Sequence, residues 1–400
     1  MLHVHVATAL KNHPLYSNFV QVKNKLSGRG YKCWIAGGAV RDFILNRIPT
    51  DFDLVTDATT NQILELFPDA IPVGLQFGVV KIPLTNLTAG SQADSQLFDL
   101  TTFRRESDYR DGRRPSQIDF ASPDEDALRR DFTINALFWD DENKQIIDYV
   151  GGLKDIEAKI IRCVGSAQVR FQEDHLRIIR LLRLSTQLKF KVECETLAAA
   201  IRLVALTDQV SGERLWSEIQ KMLPFMEWQT FFSNQLSLQI FEIVFPVQIS
   251  KFNSLEFVNQ TSDHQLQFFH FLLLTQTDQK KVTDCLKHKL RVSKNELKIF
   301  ETLRFCLDCR FSESEWVYQA EKNLLVLNVL KYFGKTGRWA TNEVDSIEEK
   351  FNNRPAKLVD GNDLKGLVPP EQMTDTLKKI RLLQLSQPYL DKESLLKSIN

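Results

Sequence analysis

The sequence predicts an α+β chain: a mixed strand-and-helix head of roughly 150 residues, then helices to the end. Three observations carry this. Strand-like runs YKCWIA, DFDLVT, VVKIP and LFDLTTF alternate with short helical segments through the first part of the chain. After GGLKDIEAK the character changes, and FQEDHLRIIRLLRLSTQLKF, ERLWSEIQKML and NLLVLNVLKYF all fit helical spacing. No fixed-period repeat or low-complexity linker intervenes, so the joins are expected to be packed rather than tethered. The length of 400 residues points to about two to four domains.

Residues 1–30 read as helical, stopped by Gly28 and Gly30. YKCWIA is a short buried strand. AVRDFILNR is a short helix that sets Arg41 one turn beyond Gly37 and Gly38. DFDLVT is an acidic strand. TTNQILELF is a helix with Thr59 or Thr60 as its cap. VVKIP and LFDLTTF are strands. The segment RRESDYRDGRRPSQIDFASPDEDALRRD is polar and turn-rich. FTINALFWD and QIIDYVG return to helix and strand.

Lysine and arginine total 51, as do aspartate and glutamate, and 43% of residues are hydrophobic. Zero net charge argues against a globally polybasic nucleic-acid binder but leaves room for local patches. Two clusters qualify: Arg104, Arg105, Arg110, Arg113 and Arg114, and Lys287, Lys289, Arg291 and Lys294. The N-terminus has no signal-peptide pattern, and no apolar run nears the ~18 residues of a membrane span. The six cysteines read as reduced thiols of a cytosolic protein. Cys306 and Cys309 form a CxxC without a second CxxC or a histidine pair, so two thiols on a helix are expected rather than a metal site.

Side chains in a strand alternate faces, so Asp51 and Asp53 are expected to point the same way. Two adjacent carboxylates repel unless a cation lies between them, and a hard divalent ion such as Mg²⁺ suits oxygen ligands. Alone, an Asp-x-Asp can equally be a solvated turn. Gly37 and Gly38 open a helix whose backbone N–H groups attract phosphate, and their spacing fits neither the Walker pattern nor GxGxxG. Asp99 offers a third acid, as a metal ligand or as a base. In RRDFTINAL, Arg129 and Arg130 adjoin Asp131. Read as a helix start, this stretch puts Asp131 and Asn135 on one face.

EDHLRIIRLLR, read as one helix, places Asp174 and Arg177 about 60° apart, with Arg180 and Arg183 following along one sector. Its other sides are apolar, so it should be buried. One aspartate cannot neutralise three arginines. An anionic ligand, or arginines snorkelling to the surface, would resolve this. An Asp–Arg pair one turn apart also offers an acceptor and donors that could read a base edge.

In this order, GGAVRD…DFDLVT, TTFRRESDYRDGRRP, RRDFTINAL, IIDYVGGLKD, EDHLRIIRLLR, SGERLWSEIQKML, LVDGNDLKGL and LLQLSQPYLDKESLL resemble the bacterial-type, class II tRNA nucleotidyltransferases and the related poly(A) polymerases. The likeness is weakest over about 225–350. It implies a polymerase-β-like nucleotidyltransferase head over 1–154, a neck over 155–225, a body over 226–350 and a tail over 351–400. It further implies untemplated addition of CCA to tRNA from CTP and ATP, with Mg²⁺ as cofactor and tRNA as partner. The expected setting is the cytoplasm, without a membrane or an obligate protein partner.

By motif, Gly37, Gly38 and Arg41 would hold the triphosphate, and Asp51 and Asp53 the metal. Arg130, with Asp131 and Asn135, would lie at the nucleotide. Asp174 and Arg177 would read the base, supported by Arg180 and Arg183. The charged stretch after Phe103 resembles the family's flexible loop for adding A. Asp99 stands where the family commonly has Glu. VPPEQ replaces a Gly-rich turn in the tail. Gly74-Leu75-Gln76-Phe77 lacks the GRRF-like stretch of poly(A) polymerases, which favours tRNA repair. The alternatives are an A-adding enzyme or a poly(A) polymerase.

Overall fold

The computed structural model describes residues 2–74, 78–83, 97–109, 112, 115–247, 263–275, 278–336 and 338–399. The chain forms two compact units: residues 1–210 with 235–243, and residues 211–234 with 244–400. Among the described residues, no helix is long and apolar enough to cross a membrane.

Unit 1 opens with α1 (Leu2–Lys11) and α2 (Tyr16–Ser27), which divide the expected N-terminal helix at Pro14. There follow β1 (Cys33–Ala36), α3 (Gly38–Ile44), β2 (Asp53–Thr56), α4 (Thr60–Leu66), β3 (Ile71–Gly74), β4 (Val79–Pro83) and β5 (Leu97–Thr102). Thr59 caps α4 through a capping box with Gln62. The turn-rich segment is instead a separate hairpin, β6 (Arg104–Tyr109) and β7 (Pro115–Phe120), followed by α5 (Pro123–Leu128). β8 (Leu137–Asp140) and β9 (Gln145–Asp148) complete a seven-stranded sheet ordered β3-β4-β5-β2-β1-β8-β9. Its β2–β5 pair is parallel and its other pairs are antiparallel. Then come α6 (Gly152–Ala158), β10 (Ile160–Ile161), α7 (Ala167–Glu173), α8 (Leu176–Leu188), β11 (Lys191–Val192) and α9 (Cys194–Leu203).

The apolar residues of the acidic strand hold it in the sheet. Leu54 and Val55 are buried on opposite faces of β2. Phe52, just before the strand, stacks on Phe98 at 5.9 Å and meets Phe43 edge-on at 5.9 Å. Beyond Val55, Trp34, Phe103 and Phe138 form a second aromatic cluster. Burying one such ring contributes about 1.5–3 kcal/mol. Phe52 thereby fixes the backbone between Asp51 and Asp53.

Unit 2 is built of helices from Gly212–Met222 to Lys392–Lys397. Its interior holds Trp216, Trp228, Phe268, Phe269 and Phe271. FFHFLLL lies in the buried helix His264–Thr275, where His270 Nδ1 and the Tyr332 hydroxyl are 3.0 Å apart. Cys306 is buried on the helix Lys294–Asp308 and Cys309 follows at its end. Both are free thiols.

Candidate active site

The site begins where β1 gives way to α3. Gly37 takes φ 74°, ψ −129°, a conformation open to glycine at little cost. A Cβ there would lie 3.2 Å from Arg130 Nη1. Because β1 ends at Ala36, pairing of the neighbouring strand also stops, at Asp53 opposite Ala36. The acidic strand therefore starts at Asp53, and Asp51 stands before it in irregular chain. This corrects the expectation that both acids lie on one strand.

Asp53 also sits opposite Asp99 in the β2–β5 register. Its surface is exposed, yet protein atoms crowd around it. That crowding pushes its carboxyl up from the ordinary range, and the charges of Asp51 and Asp99 push it further. Arg130 and Arg180 pull it only partly back. The three acids thus share one local field, facing two arginines. Asp99 carries its own counterion, Lys81, at 2.6 Å, directly opposite on β4. Both side chains are partly exposed, so the pair contributes little stability.

Hard carboxylate oxygens that repel one another are a donor set suited to a divalent cation. Among the described residues, no group of three or more His, Cys, Asp or Glu side chains could hold a metal on its own. Asp51 and Asp53 would supply only part of a coordination shell, not a closed cage.

Around this field the arginines are held in defined positions. Arg41, 5% exposed, folds back over Gly38. It donates from Nε and Nη2 to Asp42 Oδ1 at 2.9 and 2.8 Å, and from Nη1 to Asn135 Oδ1 at 2.5 Å. Arg130 donates from Nε and Nη2 to Asp126 Oδ2 at 3.1 and 3.0 Å, reaches the Asn135 carbonyl with Nη1, and lies over the Phe138 ring. Arg129 binds the other Asp126 oxygen and Glu106. Burial alone would raise Asp126. Arg130 and Arg129 reverse this and hold it below the usual range.

RRDFTINAL is the end of a helix, not its start. Arg129 closes α5, Thr133–Asn135 is a single 3-10 turn, and β8 begins at Leu137. Asp131 and Asn135 still meet, with Asn135 Nδ2 donating to Asp131 Oδ1 at 3.3 Å. The turn is pinned by Gly152, whose missing Cβ would fall 2.2 Å from the Thr133 carbonyl oxygen, and by a 2.7 Å bond from Thr133 Oγ1 to Asp155.

EDHLRIIRLLR is likewise not one helix. Asp174 ends α7 in an extended conformation, and its carboxylate accepts the N–H of Leu176 at the first residue of α8. Asp174 and Arg177 are joined by a backbone bond, Arg177 N–H to the Asp174 carbonyl, rather than sharing a helix face. The arginines also find protein partners. Arg177 pairs with Glu173 at 2.7 Å, and Arg180 grips Asp131 Oδ2 at 2.6 and 2.8 Å. Arg183 donates to Gln187. The shortage of acids read from the sequence is filled by Glu173 and Asp131, so these arginines do not by themselves require an anionic ligand. Burial would raise the Asp131 carboxyl, yet Arg180 and then Arg177 hold it down at about 2.

The structure thus joins Gly37, Arg41, Asn135, Asp131 and Arg180 in one hydrogen-bonded chain, with Gly38 beneath the Arg41 guanidinium. Asp174, Arg177 and Arg183 lie along α7 and α8. The described turn residue of the hairpin, Gly112, accepts the His175 N–H at 3.1 Å. Leu75, Gln76 and Phe77, and Arg110, Arg113 and Arg114, lie outside the described residues. Sequence reading missed Asp126, Lys81 and Glu173. The spacing of Asp126 to Arg129 and Arg130, and of Glu173 to Arg177, was an available helical signal. Lys81 had none, because its pairing depends on strand register.

The profile of the Poly A polymerase head domain matches residues 33–162, and that of the "Probable RNA and SrmB-binding site of polymerase A" matches residues 189–252. The chain is 39% identical over 224 residues to the CCA-adding enzyme of Lactococcus lactis subsp. cremoris, covering 55% of this chain and 54% of that one. It is 32% identical over 283 residues to the CCA-adding enzyme of Staphylococcus haemolyticus, covering 70% and 66%. The chain spans about half the length of the first of these relatives. The Bacillus stearothermophilus CCA-adding enzyme in complex with CTP superposes with a TM-score of 0.72 at 22% identity, over 96% of this chain and 97% of that one. The Thermotoga maritima CCA-adding enzyme complexed with tRNA gives 0.65 at 17%, over 99% and 98%. At these identities the superpositions establish a shared fold.

Proposed function

Since the chain belongs to the family of class II tRNA nucleotidyltransferases and poly(A) polymerases, we propose that it adds CCA to the 3′ end of tRNA from CTP and ATP, without a template. The observation that carries the reading is the field at Asp53: three acids too close to be at ease together, faced by Arg130 and Arg180. Such a field suits a cation and a polyphosphate bound side by side.

In this reaction the 3′-hydroxyl oxygen of the RNA attacks the α-phosphorus. A new O–P bond forms, the bond from the α-phosphorus to the bridging oxygen breaks, pyrophosphate leaves, and the hydroxyl proton passes to Asp99 or to water. Nucleotidyltransferases of this family use a divalent metal, here taken to be Mg²⁺. Asp51 and Asp53 would hold it, with the remaining ligands from substrate and water. When bound, it supplies charge neutralisation and lowers the pKa of the attacking hydroxyl. Asp99 stands beside Asp53 as a further ligand or as the base.

Gly37, Gly38 and Arg41 receive the triphosphate, and Arg130 adds a planar donor fork. Asp131 and Asn135 hold Arg180 and Arg41 in place. Asp174 and Arg177 read the base, with Arg180 and Arg183 behind them. Residues 1–154 form the catalytic head, 155–225 the base-reading neck, and 226–350 and 351–400 the body and tail that grip tRNA. The setting is the cytoplasm.

The test is product length on a tRNA transcript lacking CCA and on one ending in CC, with CTP alone, ATP alone, and both. CC from CTP alone and completion to CCA with both are expected. A single A on a CC-ended tRNA without any C addition would make the chain an A-adding enzyme. Long A tails would make it a poly(A) polymerase.

A further inference from the structure

Between Cys285 and Lys298, unit 2 carries Lys287, Lys289, Arg291, Lys294 and Lys298, with His288 among them, against a single acid, Glu296. On a chain of zero net charge this is a strong local excess. All five basic side chains and His288 belong to exposed residues. Glu296 is occupied internally: it accepts the Ser293 N–H at 2.7 Å and the indole N–H of Trp216 at 3.0 Å.

The backbone brings these charges out. Cys285–Lys289 is a π-helical turn that buries Cys285 and Leu286 and leaves Lys287, His288 and Lys289 consecutively outside. Leu290 is buried, and Arg291 takes a left-handed φ of 52°. Ser293 then caps the 15-residue helix Lys294–Asp308. Single π turns and left-handed non-glycine residues recur at functional sites.

Three of the five basic side chains are not paired with an acid among the described residues. Arg291 pairs with Glu213 at 2.7 Å, but Lys287, Lys294 and Lys298 have no acidic partner among the described residues. Lys294 also occupies the first turn of its helix, where the positive end of the helix dipole disfavours a cation. Lys294 and Lys298 are one turn apart. No large hydrophobic side chain is exposed between residues 285 and 298, so the patch lacks the apolar anchor of a typical protein interface. Diffuse positive charge without an anchor suits a polyanion. The stretch also lies beyond residues 189–252, the part matched as an RNA-binding site.

We propose that residues 287–298 form an RNA-backbone surface of unit 2, on which phosphates of the substrate RNA lie. This rests on the reading of tRNA as substrate. The test uses the full chain and a tRNA transcript lacking CCA, with binding followed by fluorescence anisotropy over a salt series. The variant is Lys287→Ala/Lys294→Ala/Lys298→Ala, with Lys→Gln at the same positions as a second neutral set and Lys→Arg as the charge-retaining control.

Each lost phosphate contact removes about 0.7–0.9 from the slope of log K against log salt, so the slope should fall by about 2 and affinity by at least about tenfold near 0.1 M salt. The Lys→Arg variant should keep both. At saturating RNA, kcat and the KM for CTP should match wild type while the KM for RNA rises. Affinity within about twofold of wild type and an unchanged slope in a folded neutral variant would overturn the proposal, and would point to an acidic protein partner. A wild-type chain that binds RNA but adds no nucleotide would refute the proposed activity while leaving this comparison decisive for the surface.

Discussion

Asp131→Asn isolates the link between the head and α8. The substitution keeps the side chain's volume and removes its charge. In the native chain Asp131 Oδ2 receives two bonds from Arg180, while Oδ1 receives the Phe132 N–H at 2.8 Å and Asn135 Nδ2. Its carboxyl is held at about 2 rather than 3.8. At about 1.4 kcal/mol per tenfold change in proton affinity, the ionised form gains about 2.5 kcal/mol on folding. The sign follows from the depressed pKa: this stability is present above pH 3.8 and is lost as pH falls toward 2. Breaking a fully buried pair costs about 3–5 kcal/mol. The Arg180 side chain is 32% exposed, so water would partly re-solvate it, and a loss of about 2 kcal/mol is expected for the variant at pH 7. Urea unfolding, with hydrogen exchange in the Cys33–Ala36 and Leu137–Asp140 peptides to isolate unit 1, measures it. The variant should also lose the part of the acid sensitivity that falls between about pH 4 and 2. Stability within about 0.5 kcal/mol of wild type, or undiminished acid sensitivity, would mean that the Asp131–Arg180 pair does not stabilise unit 1.

Asp53→Asn should cut nucleotide incorporation by at least about a hundredfold without lowering the urea midpoint. A carboxyl with a raised pKa opposes folding above its ordinary range, so its removal relieves the field; a clear drop in midpoint would contradict that sign. Asp174→Ala should loosen discrimination of C and A against G and U while leaving tRNA affinity unchanged, read by four-nucleotide competition. It also removes the bond to Leu176, costing about 1 kcal/mol, so Asp174→Asn serves as the control that keeps this bond. Unchanged selectivity in Asp174→Ala would end the base-reading role. In unit 2, burial, with a smaller push from Arg338, holds His270 at about 4 instead of 6.5. Its neutral form therefore stabilises the fold at pH 7, and up to about 3 kcal/mol is lost as pH falls from 6.5 toward 4. His270→Gln should flatten that part of the unit 2 stability profile, and an unchanged profile would assign the acid sensitivity elsewhere.

How much of this was legible follows the range of each interaction. The strands around Asp53 were readable because their apolar residues are local and continuous. The hairpin Arg104–Phe120 was not, since its polar and charged residues hide the two-residue alternation. The break at Asp174 carries no proline or glycine; its only signal was an aspartate, a residue favoured at helix starts. The late start of the acidic strand, at Asp53, followed from Gly37, which ends the neighbouring strand with a positive φ, and a sequence does not say which strand is the neighbour. The Asp131–Arg180 pair spans 49 residues and depends on how α8 packs against the head. Counting acids along one helix therefore overstated the need for a ligand.

Paired arginines still keep donors for an anion. Arg41 and Arg130 each use three of their five N–H donors on protein acceptors. Asp42 and Asp126 thus do not compete with a triphosphate for the whole guanidinium. They fix its plane and leave two N–H groups on each arginine without a partner among the described residues. An arginine oriented in advance loses less side-chain freedom on binding phosphate than one released from solvent. The acids around Asp53 follow the opposite logic, since Arg130 and Arg180 offset the repulsion at Asp53 only in part and a cation would relieve the remainder. One half of the site is orientated beforehand and the other is electrostatically unsatisfied. Nucleotide and metal should therefore bind with positive coupling: the metal offsets the acids that would repel a triphosphate, and the triphosphate offsets the arginines that would repel a cation.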